Sequence, residues 1–177
     1  TSTIENAKSI VETICDNYHN IFDTIDIRNS NDYLFKHSIM VAEFSIAIGK
    51  KLNLKQQELV NLTISALLHD IGKIGIPDRI LNKPERLTDE EYKEMKSHVV
   101  KGGEILKSFT LIDNIEEGAL YHHERYDGKG YVHGLKGEEI PLNARIIGIA
   151  DAFDAMTANR VYRKKLDMDF VLGELKK

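Results

Sequence analysis

An all-α bundle of helices with one long Gly-rich loop between its last helices is the fold class that the 177-residue sequence predicts. Three observations predict it. Apolar residues recur every three to four positions through most of the chain, the period of a helix with one buried face. Polar residues that cap helices stand where several of these runs begin. No stretch alternates apolar and polar with the period of two that a half-buried strand requires.

The elements follow in order. Ser2-x-x-Glu5 is a capping box, and Ile4, Ala7, Ile10, Val11, Ile14, Tyr18, Ile21, Phe22 and Ile25 continue from it at helical spacing. A second amphipathic helix runs over residues 29–52 behind an Asn/Asp cap. A third covers residues 55–75, is broken by Gly72 and Gly75, and meets Pro77 beyond. A fourth covers residues 87–106 and starts with a second capping box, Thr88-x-x-Glu91. A short helix spans residues 112–124, and a polar Gly-rich loop runs from about Arg125 to Glu139. Residues 141–160 form a strongly apolar helix with Pro141 at its start. A further helix begins at Asp167. We divide the chain into an N-terminal helical segment, residues 1–30, and one domain, residues 31–177.

Composition narrows the function classes. Hydrophobic residues make up 42% of the chain, enough for a core. The formal net charge of −4 argues against a partner that is a nucleic-acid polymer. An anionic ligand would need a local basic patch, and Arg145, Arg160, Arg163, Lys164 and Lys165 offer one. No apolar run approaches a membrane span and no signal peptide opens the chain, so no membrane contact is expected. The single cysteine, Cys15, reads as a small apolar helix residue, and its usage fits a reducing, cytoplasmic setting. Residue 1 is Thr, as in a piece of a longer protein.

The candidate chemistry lies in seven side chains. His69 and Asp70 end an apolar helix; alone, an HD dipeptide is equally a helix-end histidine with a capping acid. Asp151 and Asp154 share one face of an apolar helix. Buried carboxylates there need a metal, several hydrogen bonds, or a cation such as Arg145 or Arg160. His37 and His98 each stand near the apolar side of a helix, and His122 and His123 open the Gly-rich loop. His19 and His133 have no such context. Jointly, His37, His69, Asp70, His98, His122, His123 and Asp151 come from five helical segments, as bundle-core metal ligands do. Imidazole plus carboxylate suits iron, manganese or zinc rather than calcium or magnesium. Seven ligands exceed one tetrahedral zinc and suit two metals sharing a bridging Asp, a role that Asp70 beside His69 is placed to fill.

The chain resembles the HD-GYP family, a subgroup of the HD-domain phosphohydrolases. The resemblance runs from about Asn31 to Gly173 and includes HDIGKIGIPDRIL, LTDEEYKEMKSHVVKGGEIL, HHERYDGKGY and GLKGEEIPLNARIIGIADAFDAMTANRVYR. It implies an HD-domain helical bundle. It also implies hydrolysis of cyclic di-GMP to linear pGpG, with or without a further step to GMP, by attack of a metal-bridging hydroxide. The cofactors implied are two divalent metal ions per chain, iron or manganese first, with zinc, nickel or cobalt also compatible. The seven residues above match the family's metal ligands. Asp70 and Lys73 would be catalytic, Lys73 facing the scissile phosphate. Tyr131 matches the tyrosine of the Gly-Tyr-Pro signature, and Arg160 and Arg163 match positions that hold the substrate's phosphates. Glu124 either orients an imidazole or is solvated.

Two departures stand out. Val132 replaces the proline of the signature, which touches loop rigidity and partner choice. Tyr33 stands where some members carry a third-metal glutamate, so two metals are expected. In such proteins a regulatory domain commonly precedes this one, and a homodimer is compatible with the pattern. Two other functions fit the same motifs: a cyclic di-GMP-sensing module with little turnover, and a phosphohydrolase for another cyclic dinucleotide.

Overall fold

The fold turns on one central helix that is buried on nearly every side. The computed structural model describes residues 32–107, 113–158 and 167–176, with the side chains of the first helix described from Lys36 onward. The expected N-terminal helix with its Ser2 cap, Cys15, the side chains of Asp32 and Tyr33, and Arg160, Arg163, Lys164 and Lys165 lie outside the described residues. Within them there are eight α-helices, two 3-10 turns and no strand.

We number the helices α1 (Asp32–Lys51), α2 (Gln56–Leu67), α3 (Asp78–Leu81), α4 (Asp89–Lys96), α5 (His98–Lys107), α6 (Glu116–Tyr121), α7 (Leu142–Thr157) and α8 (Met168–Leu175). The central helix is α2. Leu59, Val60 and every residue from Leu62 to Ala66 are buried in it, which is the mark of a helix enclosed by its neighbours rather than lying on a surface. Its Leu62 and Ala66 join Val41 and Ala42 of α1 and Ile146, Ile147 and Ala150 of α7 in one core cluster. Its Val60 and Ile64 join Leu106 of α5, Ile115 and Ala119 in another. Burying each Leu or Ile of this kind is worth roughly 2 kcal/mol. The two buried hydroxyls of α2 are satisfied: Thr63 donates to the Leu59 carbonyl at 2.7 Å and Ser65 to that of Ile115 at 2.9 Å.

Helix ends follow from local chemistry. After α1 the chain closes a Schellman motif with Asn53 at φ 59°, the amide of Leu54 donating to Gly49 and that of Asn53 to Lys50. The Thr88 capping box forms as read: Glu91 N donates to Thr88 Oγ1 at 3.2 Å, and Thr88 N to the Glu91 carboxylate at 2.8 Å. Asp167 caps α8 through the amide of Asp169 at 2.9 Å.

Three local readings are revised. The helix read over residues 55–75 stops at Leu67, so His69 and Asp70 sit in a turn that leads into a 3-10 turn, Ile71–Gly75. The cause is Gly72, where an added Cβ would lie 1.9 Å from the His98 carbonyl oxygen and 2.4 Å from Gly102 N. This backbone-on-backbone approach to α5 is open to glycine alone. The helix read over residues 87–106 is two, α4 and α5, parted at Ser97. There Ser97 Oγ donates to Glu94 O at 2.6 Å and His98 Nδ1 bonds to Met95 O at 2.8 Å, so side chains take the carbonyls that would have continued the helix. The one-turn helix α3 was not read from the sequence.

Candidate metal centre

Five segments deliver the seven residues to one place. His37 comes from α1, His69 and Asp70 from the turn after α2, and His98 is the first residue of α5. His122 and His123 follow α6, and Asp151 comes from α7. Ligand atoms of His98, His122 and His123 lie within 4.8 Å of one another. The same holds for His37, His69 and Asp70, and for His69, His122 and Asp151. All seven residues read from the sequence therefore belong to one connected cluster.

The orientation of the imidazoles is specific. His69 Nδ1 lies 2.7 Å from the Ala66 carbonyl, His98 Nδ1 2.8 Å from that of Met95, and His122 Nδ1 2.8 Å from that of Gly118. A carbonyl only accepts, so each Nδ1 carries the hydrogen and each Nε2 presents a lone pair. Those three Nε2 atoms, with Asp70 Oδ1, are buried and have no hydrogen-bond partner. Four buried, unpartnered acceptors facing one another are costly unless a cation joins them. The donor set fits a divalent metal ion on this ground.

Asp70 stands in the middle. Its Oδ1 lies 3.4 Å from His98 Nε2 and 3.9 Å from His122 Nε2, and its Oδ2 lies 3.4 Å from His69 Nε2 and 3.9 Å from His37 Nε2. Each carboxylate oxygen thus faces its own pair of histidines. Lys73 Nζ donates to Asp70 Oδ2 from the adjoining 3-10 turn, and its side chain is 27% exposed, at the mouth of the cluster.

Charge agrees with this geometry. Burial raises the Asp70 pKa, but His69 and Lys73 beside it overcome that and hold it far below the carboxylate range. Burial also raises Asp151, and its hydrogen bond to His37 outweighs it, so that carboxyl is ionised too. Burial pushes His122 well below its ordinary value, lowers His98, and takes His123 down to about 4. These imidazoles are neutral near pH 7, as metal ligands must be. His37 differs. Burial lowers it, yet Asp151 and Asp154 together raise it to about 9, so positive charge is favoured at this point.

Two residues that the sequence singles out, Asp154 and Glu124, find partners that it does not indicate. Asp154 was one of two carboxylates with an arginine as a candidate partner. Its Oδ2 instead lies 2.7 Å from His37 Nδ1, while Asp151 Oδ1 lies 3.2 Å from His37 Nε2. The i, i+3 spacing of the two acids was the signal, and their common partner on α1 was what it lacked. A carboxylate behind a ligating imidazole fixes its ring and raises its basicity. Asp154→Asn is therefore expected to weaken metal binding about 10- to 100-fold. Titration against a competing chelator checks this, and unchanged affinity would contradict it.

Glu124 was read as orienting an imidazole or as solvated, and it does neither. It is buried, and its carboxylate accepts the backbone amides of His133 at 2.7 Å, Gly134 at 3.1 Å and Leu135 at 3.1 Å. It pins the far arm of the loop of residues 122–141. The near arm packs as closely, since a Cβ on Gly130 would lie 2.4 Å from Glu124 Cα. Tyr131 then lies over His123, ring centroids 4.8 Å apart, with Lys96 Nζ 5.4 Å from its ring. Glu124→Ala is expected to cost about 2–3 kcal/mol. Hydrogen exchange should show the amides of residues 133–135 losing protection, and full protection would contradict the assignment.

A helical domain with a histidine–aspartate cluster of this kind presents a donor set that fits divalent metal ions. The chain belongs to the HD-domain family, whose sequence profile matches residues 24–177. It is 38% identical over 162 residues to a cyclic di-GMP phosphodiesterase of Thermotoga maritima, covering 88% of this chain and 44% of that protein. It is 38% identical over 141 residues to a 3′3′-cGAMP-specific phosphodiesterase of Vibrio cholerae, covering 80% and 31%. Among solved structures it matches an HD-GYP-type protein of Bdellovibrio bacteriovorus with TM-score 0.73 at 25% identity, covering 86% of this chain and 50% of that one. The chain thus spans half or less of each of these proteins. The all-α fold and the HD-GYP resemblance agree with these matches. No described helix is long and apolar enough to cross a membrane.

Proposed function

We propose that this chain is the phosphohydrolase domain of a metal-dependent cyclic-dinucleotide phosphodiesterase that opens cyclic di-GMP to linear pGpG. The observation that carries the reading is the bridging placement of Asp70, one oxygen toward His98 and His122 and the other toward His37 and His69. That is the donor arrangement for two cations sharing one carboxylate. His98, His122 and His123 would hold one metal, and His37, His69 and Asp151 the other. Iron or manganese suits this mixed imidazole and carboxylate set best, with zinc, nickel and cobalt as further candidates. Metals bound there supply Lewis-acid stabilisation of a phosphoryl oxygen and lower the pKa of a water to near neutral.

The chain's own residues do the rest. The Nδ1 bonds of His69, His98 and His122 to backbone carbonyls hold the imidazoles so that no reorganisation is needed when charge develops. Lys73, at the mouth and in reach of Asp70, would place its ammonium against the scissile phosphate's non-bridging oxygens. Tyr131 would close the far wall, and Arg160 and Arg163 would bind the remaining phosphate charge. Cyclic GMP-AMP is a second substrate candidate, favoured by the similarity to the Vibrio cholerae enzyme. A regulatory domain upstream, a homodimer and a cytoplasmic setting complete the proposal.

The test is turnover. Protein purified without oxygen and loaded with Fe(II) or Mn(II) should convert cyclic di-GMP to pGpG or GMP, and chelation should stop it. Metal-loaded protein that binds cyclic di-GMP and yields no product would instead assign a sensing module.

A further inference from the structure

Leu142, Arg145, Ile149 and Ala152 recur along one stripe of α7, and all four line a cavity of about 900 Å³. The volume lies within the range of small-molecule sites. The cavity reaches the candidate metal cluster at Asp151, His122 and His123, and Tyr126 and Tyr131 of the loop line it too. Leu142 and Ile149 are 42% and 45% exposed, and Tyr126 is 59% exposed, so apolar and aromatic surface stands open on both helix and loop. That is a slot for a flat ring.

Arg145 is the unusual member. The two acidic residues of its own helix engage His37 instead of it. Among the described residues its Nε is buried with no hydrogen-bond partner, and no ion pair engages its guanidinium. A half-buried guanidinium that faces a cavity without an acceptor is a group awaiting one. Four carboxylate and four cationic side chains line the cavity, so the side chains alone bring it no net charge. A neutral group with a paired acceptor edge suits it better. Arg145 stands six residues from Asp151, about 9 Å along the helix axis. A phosphate at the metal cluster would leave its own nucleoside to span that interval.

We infer that this cavity is a nucleobase pocket and that Arg145 selects guanine in it. The fork of an arginine matches the O6 and N7 acceptors of guanine, whereas adenine sets an amino donor in place of O6. The ring would lie between the α7 stripe and Tyr126. This rests on the phosphodiesterase reading and deepens it, since it states which base the site takes beside the scissile phosphate.

Arg145→Gln and Arg145→Lys test it, with kcat and KM measured on Mn(II)-loaded protein for cyclic di-GMP, 3′3′-cGAMP and cyclic di-AMP. Wild type should prefer guanine. Arg145→Gln should raise KM for cyclic di-GMP about tenfold or more, leave cyclic di-AMP little changed, and so collapse the preference. Arg145→Lys keeps the charge and loses the fork, so it should lose the preference as well, and it decides the matter if the Gln variant does not fold. Metal content should be unchanged in both. Equal losses on all three substrates, or none, would overturn the assignment while leaving the phosphodiesterase intact. Wild type that turns over no cyclic dinucleotide would overturn both.

Discussion

Asp70→Ala is expected to empty the cluster of metal and to abolish turnover. Asp70 is the one side chain whose two oxygens face two separate pairs of imidazoles, so its loss removes a ligand from both proposed metals at once. It also leaves Lys73 without its acceptor, so the remaining charge near the cluster becomes more positive and resists cations further. Metal-derived stabilisation of the reacting phosphate is worth several kcal/mol, so a fall of about a thousandfold or more is expected. The fold should survive, because His69, His98 and His122 are anchored by backbone carbonyls and not by Asp70. Metal analysis, turnover and a thermal melt on one preparation separate these outcomes. Asp70→Ala with full metal content or retained activity would contradict the two-metal arrangement, and His69→Ala should behave alike.

Gly72→Ala is expected to be among the most damaging single-methyl changes in the chain. The added carbon would meet the backbone of α5 at His98 and Gly102, which cannot swing aside as a long side chain does. The 3-10 turn would have to move away from α5, and the two carry Lys73 and His98. Overpacking of this kind costs about 3 kcal/mol or more, a large share of a small domain's stability. A denaturant titration should show the midpoint fall, with metal affinity falling in parallel. An unchanged midpoint would mean that the close approach of the turn to α5 is not required.

The helices that bury a periodic face were legible in the sequence, because α1, α2, α5 and α7 carry the spacing on their own residues. The break at Ser97 was not, and the break that Gly72 signals falls earlier than its position suggests, at Leu67. The Leu67 break depends on the backbone of Gly72 against α5, and the Ser97 break on local capture of the Glu94 and Met95 carbonyls by Ser97 and His98, which helical periodicity does not register. The seven candidate ligands were legible only as a set, since each histidine alone suits a core or a helix end. What the spacing of Asp151 and Asp154 could not reveal was that a histidine 117 residues from Asp154 would take both carboxylates. Glu124 shows the same limit, its partners lying 9 to 11 residues along a loop with no periodicity to read.

In the proposed centre these side chains jointly hold two metals bridged by Asp70. Anomalous diffraction from crystals of Mn- or Fe-loaded protein, collected on either side of the metal's absorption edge, tests it most directly. Two peaks are expected, one bonded to His98, His122 and His123 and the other to His37, His69 and Asp151, with Asp70 between them. A single peak, or metal bound elsewhere while these Nε2 atoms stay bare, would contradict it.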